Sequence, residues 1–457
     1  MGRIIQIGLL VCLIWTTAAQ AQQTADYFRT HADSALKSGD YKTAIDDYTK
    51  AIGLNSQDAV AYYRRGFALH YYGEFDRVIQ DYKVAVSINP QYADDPLMRC
   101  VLYKSASNEN PQNGIDFCTQ AIDKRPDFAL AYYKRGNAYD SLDEKEKALA
   151  DWEKAIQLVP RFSLPYLNRA RLYLAQENYR ACVADNNKAL ENKLPIAYNN
   201  RGLCYEGLDE MELAIKDYTQ AILLDPQSSL SFNNRGSLYN ELEKYDLAIK
   251  DLTTAINFDF KYTSAYSNRG YAYLEKGDYD RALADFNKAV ELGDDTAWIY
   301  NNRGLANMGK NNLSAALADF NKSLTINANY VWALSSRGDL YRKQEQWNEA
   351  LADYNRAISI QPRLASAYLG RGICFYTKAN YARAIEDFEE YTAFYPSNSA
   401  GYYNLGLVYD KQNEFKIAEA NYRKAMNLNP GDRAAESALQ RMLDRIPKNS
   451  AGVSPPE

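Results

Sequence analysis

Apolar and small residues return at intervals of three and four along most of this chain. Over residues 300–308 and 315–323 that spacing marks one face of a helix, so each stretch predicts an amphipathic helix. The polar turn Lys310-Asn311-Asn312 separates them, and Lys276-Gly277-Asp278 fills the same place one unit earlier. One such hairpin cannot bury its apolar faces alone, so neighbouring hairpins must stack. The start of the chain differs. Residues 4–15 form an almost unbroken apolar run behind Arg3, and Ala19-Gln20-Ala21 offers the small-x-small pattern a signal peptidase accepts. The expectation is an export signal over residues 1–21, cleaved after Ala21, with an uncleaved N-terminal anchor as its rival. The run is too short for a comfortable transmembrane helix. Cys12 follows Leu-Leu-Val, whereas lipidation needs a small residue there.

The helical pattern recurs in register. Tyr198-Asn-Asn-Arg-Gly, Phe232-Asn-Asn-Arg-Gly, Tyr266-Ser-Asn-Arg-Gly and Tyr300-Asn-Asn-Arg-Gly place Gly202, Gly236, Gly270 and Gly304 34 residues apart. The series runs on through Gly338, Gly372 and Gly406, and back through Ala170, Gly136 and Gly66. A small residue follows twelve positions later (Ala214, Ala248, Ala282, Ala316), then usually an aromatic (Tyr218, Phe286, Phe320, Tyr354), then often a proline such as Pro226 or Pro362. The small residues let two helices approach, and the aromatic fills the space beside them.

These motifs resemble the tetratricopeptide repeat family over nearly the whole chain after residue 24. The resemblance implies an all-α fold: an α-solenoid, a right-handed superhelix of stacked helix-turn-helix hairpins, with a C-terminal capping helix. Twelve repeats are expected at 25–58, 59–92, 93–128, 129–162, 163–194, 195–228, 229–262, 263–296, 297–330, 331–364, 365–398 and 399–432. Repeat three is two residues long and repeat five two short. A capping helix is expected over 433–446, with apolar positions Ala435, Ala438, Leu439, Met442 and Ile446, and a mobile tail over 447–457 after Pro447 stops it. No stretch is left over for a separate catalytic domain.

Two ladders of side chains follow the repeat. Arginine precedes the glycine position at Arg65, Arg135, Arg169, Arg201, Arg235, Arg269, Arg303, Arg337 and Arg371, and aspartate lies sixteen residues on at Asp81, Asp151, Asp185, Asp217, Asp251, Asp285, Asp319, Asp353 and Asp387. Repeat twelve, with Leu405 and Asn421, loses both. An acidic-ligand site would not need one aspartate per arginine, so paired structural contacts are the favoured reading. The second ladder is Asn168, Asn200, Asn234, Asn268, Asn302 and Asn404, thickened by Asn199, Asn233 and Asn301 and interrupted by Ser336 and Gly370. The resemblance puts first helices on a concave groove, where such asparagines hold an extended peptide in some family members. A carboxamide carries donor and acceptor together, so it can grip a peptide N–H and C=O at once. The rival role is hydrogen bonding between adjacent helices. Each such bond nets about 1 kcal/mol, so affinity would need apolar anchors as well. By repeat phase these are Leu203, Tyr271, Leu305, Met308, Ile373 and Tyr376. The lysine–asparagine clamp by which some relatives hold a C-terminal carboxylate is missing. Its lysine position holds Tyr63, Tyr133, Leu167, Asn199 or Asn233, and no basic pair follows at Ile196 and Asn200.

Composition narrows the function. The chain has 457 residues, 46% apolar and 24% charged, enough to bury a core. The chain has only two histidines, His31 and His70, which argues against a histidine-dependent triad or multi-histidine metal site, and no metal or cofactor is expected. The formal charge is −5, and loss of Arg3 with the signal takes it to −6, the wrong sign for nucleic-acid binding. Five cysteines remain after cleavage. In an oxidising compartment they should pair or be buried. Cys100 and Cys118, both in the irregular third repeat, are the first candidate disulfide, Cys182 and Cys204 the second, and Cys374 has no evident partner. The expected function is a non-catalytic scaffold, periplasmic or secreted, that binds protein or extended peptide. The alternatives are a part of an envelope machine (polysaccharide export, pilus or outer-membrane protein assembly) and a regulatory partner of a separate enzyme.

Overall fold

A computed structural model describes residues 2–103, 110–192, 194–431 and 433–445, with side chains from residue 20 onward except that of Asn192. Among them there are twenty-five α-helices, two short 3-10 helices and no strand. The chain divides into two compact units at Ser231/Phe232.

In the first unit the helices are α1 (Gly2–Ser38), α2 (Tyr41–Leu54), α3 (Ala59–Tyr72), α4 (Phe75–Ile88), α5 (Pro96–Leu102), α6 (Pro111–Lys124), α7 (Ala129–Ser141), α8 (Lys145–Leu158), α9 (Ser163–Ala175), α10 (Tyr179–Ala189), α11 (Pro195–Gly207) and α12 (Met211–Leu224). The division falls inside α13 (Ser229–Glu241). The second unit continues with α14 (Tyr245–Phe258), α15 (Thr263–Glu275), α16 (Tyr279–Glu291), α17 (Ala297–Gly309), α18 (Leu313–Ile326), α19 (Val331–Lys343), α20 (Trp347–Ile360), α21 (Ala365–Thr377), α22 (Tyr381–Phe394), α23 (Ser399–Lys411), α24 (Phe415–Leu428) and α25 (Arg433–Arg445). In each unit consecutive helices pair as hairpins and the hairpins stack. The first helix of one hairpin packs on its own partner and on the first helix of the next, as α15 does on α17, α17 on α19 and α19 on α21.

The tight turns follow from local chemistry. In each described hairpin from α7/α8 to α23/α24 one turn residue is left-handed: Asp143, Glu177, Asp209, Glu243, Gly277, Asn311, Glu345, Ala379 and Asn413. Side-chain caps start several second helices: Asp278 accepts from the Arg281 N–H at 3.1 Å, and Asp40 from that of Thr43 at 3.1 Å.

The glycine of the first helix and the ring of the second make the core of each hairpin. A Cβ added at Gly304 would stand 2.6 Å from Phe320 Cε1, and one at Gly202 2.6 Å from Tyr218 Cε1. Trp152, Tyr218, Phe286, Phe320, Tyr354, Phe388 and Tyr422 are fully buried, each contributing about 2–3 kcal/mol by removal from water. Where glycine gives way to Ala170, the ring position holds the smaller Asn186.

The third hairpin is built differently. A short 3-10 turn (Pro90–Asp94) precedes α5, which has only seven residues. Cys100 on α5 is bonded to Cys118 on α6. The glycine–ring contact is reversed here, with Tyr103 after the first helix against Gly114 on the second. Cys182 on α10 is bonded to Cys204 on α11, and Cys374 is free and buried.

At the C-terminus α25 buries Ala435, Ala438, Leu439 and Met442, the last three packing against Ala418 and Tyr422 of α24. Ile446 and the expected tail 447–457 lie outside the described residues, as do residues 104–109 of the lengthened third repeat. No described helix is long and apolar enough to cross a membrane.

Candidate functional site: the first-helix groove of the second unit

All nine arginines meet their aspartates in the same way. Nε and Nη2 form a two-pronged contact at 2.5–3.1 Å, for example Arg201 with Asp217 at 2.6 and 2.7 Å, Arg235 with Asp251 at 2.6 and 2.9 Å, Arg269 with Asp285 at 2.8 Å twice, and Arg303 with Asp319 at 2.5–3.1 Å. The aspartates are buried and the arginines about one-fifth exposed or less. The remaining Nη1 donates to the second helix of the preceding hairpin: Arg65 to Thr49, Arg269 to Thr253, Arg303 to Asn287, Arg337 to Asn321 and Arg371 to Asn355, at 2.7–3.1 Å. Aromatic rings one turn away flank several guanidiniums, as Tyr266 and Tyr273 flank Arg269 at 5.8 and 6.0 Å. Hydrogen bonds to Asp217 hold Arg201 above its ordinary pKa against the opposing effect of burial. Arg65, Arg269, Arg303, Arg337 and Arg371 thus each join their own hairpin to the one before, and no edge of their forks is left for an acidic ligand.

The asparagines are placed otherwise than the peptide-holding reading requires. Asn199, Asn233, Asn301 and Asn302 are buried, between 2% and 6% exposed, which leaves little of their surface open to a ligand. A carboxamide packed between helices does not reach a chain lying over the groove. Of the half-exposed set, Asn168 donates to Asn137 at 2.8 Å, and Asn137 also accepts from the Trp152 indole at 3.0 Å. Asn268 donates to Asn233 at 3.1 Å, Asn233 donates to Asn234 at 3.2 Å, and Asn404 turns back to the Ala400 carbonyl of its own helix at 2.8 Å. Asn200 and Asn234 stay half-exposed on α11 and α13. Most of this ladder links side chains to one another or to its own helix.

A concavity of about 800 Å³ lies where the asparagine ladder is interrupted, and it belongs wholly to the second unit. Four consecutive first helices line it: α15 with Leu274 and Glu275, α17 with Leu305 and Met308, α19 with Asp339, Arg342 and Lys343, and α21 with Leu369 and Ile373. Gly370 stands in the asparagine register, and a Cβ there would meet Tyr354 Oη at 2.5 Å. The Tyr354 hydroxyl therefore passes over α21 and donates to Asp339 at 2.8 Å, while Arg342 donates to the same carboxylate at 3.1 Å. The gap in the ladder is the space that this tyrosine needs. Ser366 and Leu369 are shared with a smaller hollow lined by Trp332, Arg363, Tyr391 and Tyr395, so the depression continues toward α22 and α23. Of the anchors expected by phase, Leu305, Met308 and Ile373 line the main groove. Tyr376 lies in a separate hollow against α25, and Leu203 and Tyr271 lie outside these concavities.

The first unit has its own hollow of about 670 Å³, lined by Tyr41, Tyr63, Phe67, Tyr71, Arg64 and Arg125 among others. Its charges are largely engaged: Arg64 pairs with Asp33, and the Tyr71 hydroxyl donates to Asp127 at 2.5 Å. His70 beneath it is fully buried and stacked on Phe128 at 4.1 Å. No group of three or more metal-ligating side chains occurs among the described residues.

Tetratricopeptide repeat profiles match residues 32–73, 129–162, 195–228, 236–277, 270–311, 299–330, 338–378 and 399–432, together more than half of the chain. Among curated proteins, the chain is 35% identical over 138 residues to the Small glutamine-rich tetratricopeptide repeat-containing protein 2 of Saccharomyces cerevisiae, covering 30% of this chain and 39% of that one. It is 25% identical over 204 residues to the Hsp70-Hsp90 organizing protein of Triticum aestivum, covering 42% and 34%. The chain thus spans well under half the length of each of these relatives. Among solved structures it resembles a chain of the APC/C hetero-tetramer Cut9-Hcn1 with a TM-score of 0.51 at 15% identity, covering 92% and 96%, a likeness of fold. With this repeat, these hairpins and these profiles, the chain belongs to the tetratricopeptide repeat family.

Proposed function

We propose that this chain is a non-catalytic scaffold that holds a polypeptide segment of a partner in the first-helix groove of its second unit. The observation that carries the reading is the groove itself. Leu274, Leu305, Met308, Leu369 and Ile373 line an open depression across four consecutive helices, flanked by charged side chains, the mixture of apolar surface and a few fixed polar groups that recognition sites use. The relatives named above include a protein that organizes Hsp70 and Hsp90. Only the general property, holding other proteins, is carried to this chain, because the carboxylate clamp is absent at Tyr63, Tyr133, Leu167, Asn199 and Asn233.

The site of action in this reading is outside the cytosol. The apolar run of residues 4–15, the Ala19-Gln20-Ala21 motif and two disulfides support it together, since structural disulfides belong to oxidising compartments. The test is to compare proteins co-purified with the wild type and with a Leu305→Asp/Met308→Asp variant. Loss of partners at unchanged helicity supports the groove, and retention of every partner refutes it. Sequencing the N-terminus of the exported chain should find Gln22 first; a chain that begins at Met1 or Gly2 removes the cleavage from the proposal.

A further inference from the structure

The charges along this groove are not distributed evenly. Glu275, on α15, lines one end. The basic side chains nearest to it in sequence are engaged elsewhere, Lys276 with Asp246 and Arg281 with Asp278. No cation pairs with Glu275 among the described residues. Burial raises its pKa, and the neighbouring Glu243 adds to the effect, so the carboxylate sits in a place that wants a positive charge. In the middle, Asp339 is neutralised by Arg342 and held by the Tyr354 hydroxyl. Beyond it, Lys343 on α19 lines the same groove, and Arg363 lines the hollow that continues it. Neither has a carboxylate partner among the described residues. Arg363 instead lies over the Phe394 ring at 5.8 Å. Between the two ends Leu305, Met308 and Leu369 line the groove beside the paired Asp339 and Arg342.

Resting on the groove reading above, we infer that this groove selects a partner segment whose charge is ordered: a basic residue over Glu275, apolar anchors across Leu305, Met308 and Leu369, and an acidic residue over Lys343. Glu275 and Lys343 lie two first-helix steps apart. At about 8–10 Å per step that is about 16–20 Å, which an extended chain spans in about five or six residues. Charge order of this kind adds selectivity and orientation more than raw affinity. It makes segments basic at both ends or acidic at both ends poor ligands, because one end then faces a like charge.

The experiment is selection from a display library of random sixteen-residue segments on the full chain. Wild type, Glu275→Lys and Lys343→Glu serve as three separate baits, with the Leu305→Asp/Met308→Asp variant as control. These charged positions are exposed, and circular dichroism checks that the variants keep their helicity. Segments enriched on the wild type should carry a basic residue on one side of an apolar core and an acidic residue about five or six positions away. On Glu275→Lys the basic residue should give way to an acidic one, and on Lys343→Glu the acidic one to a basic one. A wild-type segment should lose about three- to fivefold in affinity for each reversed contact, the upper range of an exposed ion pair. Enriched segments with the same charge pattern on all three baits overturn the inference and leave the groove reading standing. If no segment enriches on the wild type above the Leu305→Asp/Met308→Asp control, the groove reading fails and the inference falls with it.

Discussion

Removing one aspartate from the arginine ladder tests what joins the hairpins. In Asp285→Ala the Arg269 guanidinium loses two hydrogen bonds of 2.8 Å and keeps only its bond to Thr253 at 3.0 Å. A hydrogen bond to a charged group contributes about 1.5–3 kcal/mol, and stranding one member of a buried pair costs about 3–5 kcal/mol. Arg269 is 17% exposed, so water recovers part of its solvation. A loss of about 2–4 kcal/mol is expected. Replacing both partners, Arg269→Met with Asp285→Leu, leaves no stranded charge and should recover at least half of that loss. The assay is urea unfolding followed by circular dichroism for the wild type, Asp285→Ala, the single variants Arg269→Met and Asp285→Leu, and the double variant. Hydrogen exchange would locate the weakened segment in α15 and α16, since each hairpin contacts only its neighbours. A single-variant loss below about 1 kcal/mol, or a double variant as unstable as the sum of the singles, would refute the view that these pairs hold the stack in register.

Two further outcomes follow from buried groups. His70 is fully buried with Nδ1 unpartnered, and burial is the main reason its pKa falls to about 3, with Arg125 adding to the fall and Asp127 opposing it. The unfolded chain binds a proton near pH 6.5 that the folded chain refuses, so stability drops as pH falls below that value, by about 2 kcal/mol at pH 5. Urea midpoints of wild type and His70→Gln at pH 7.5, 6 and 5 check this: the variant should lose most of the pH slope over that range, and an equal slope in both would contradict it. In Gly304→Ala the added Cβ would press on Phe320 at 2.6 Å inside a closed core, and a thermal-melt loss equivalent to about 1–3 kcal/mol is expected. An unchanged midpoint would mean that the hairpin opens without cost.

The amino-acid sequence alone carried the helices, their hairpins and the family, because these depend on spacing that each hairpin repeats. The small residue at Gly304 and the ring at Phe320 must face each other wherever that spacing holds. The pairing of each arginine with an aspartate sixteen residues on was legible for the same reason: both lie in one hairpin. Tertiary structure decided which side chains face outward. Asn302 and Asn200 share one repeat phase, yet Asn302 is buried and Asn200 half-exposed, because exposure depends on what the adjoining hairpins place beside each residue. The same holds for the reversed contact of Tyr103 on Gly114 and for the burial of His70 under Phe128. The groove is the clearest case. It opens where Gly370 admits the Tyr354 hydroxyl toward Asp339, a contact between side chains on α20 and α19 that passes the bare backbone of α21. Local periodicity sets which face of a helix is buried. Only the packed neighbours settle how much space that face leaves and which charges border it.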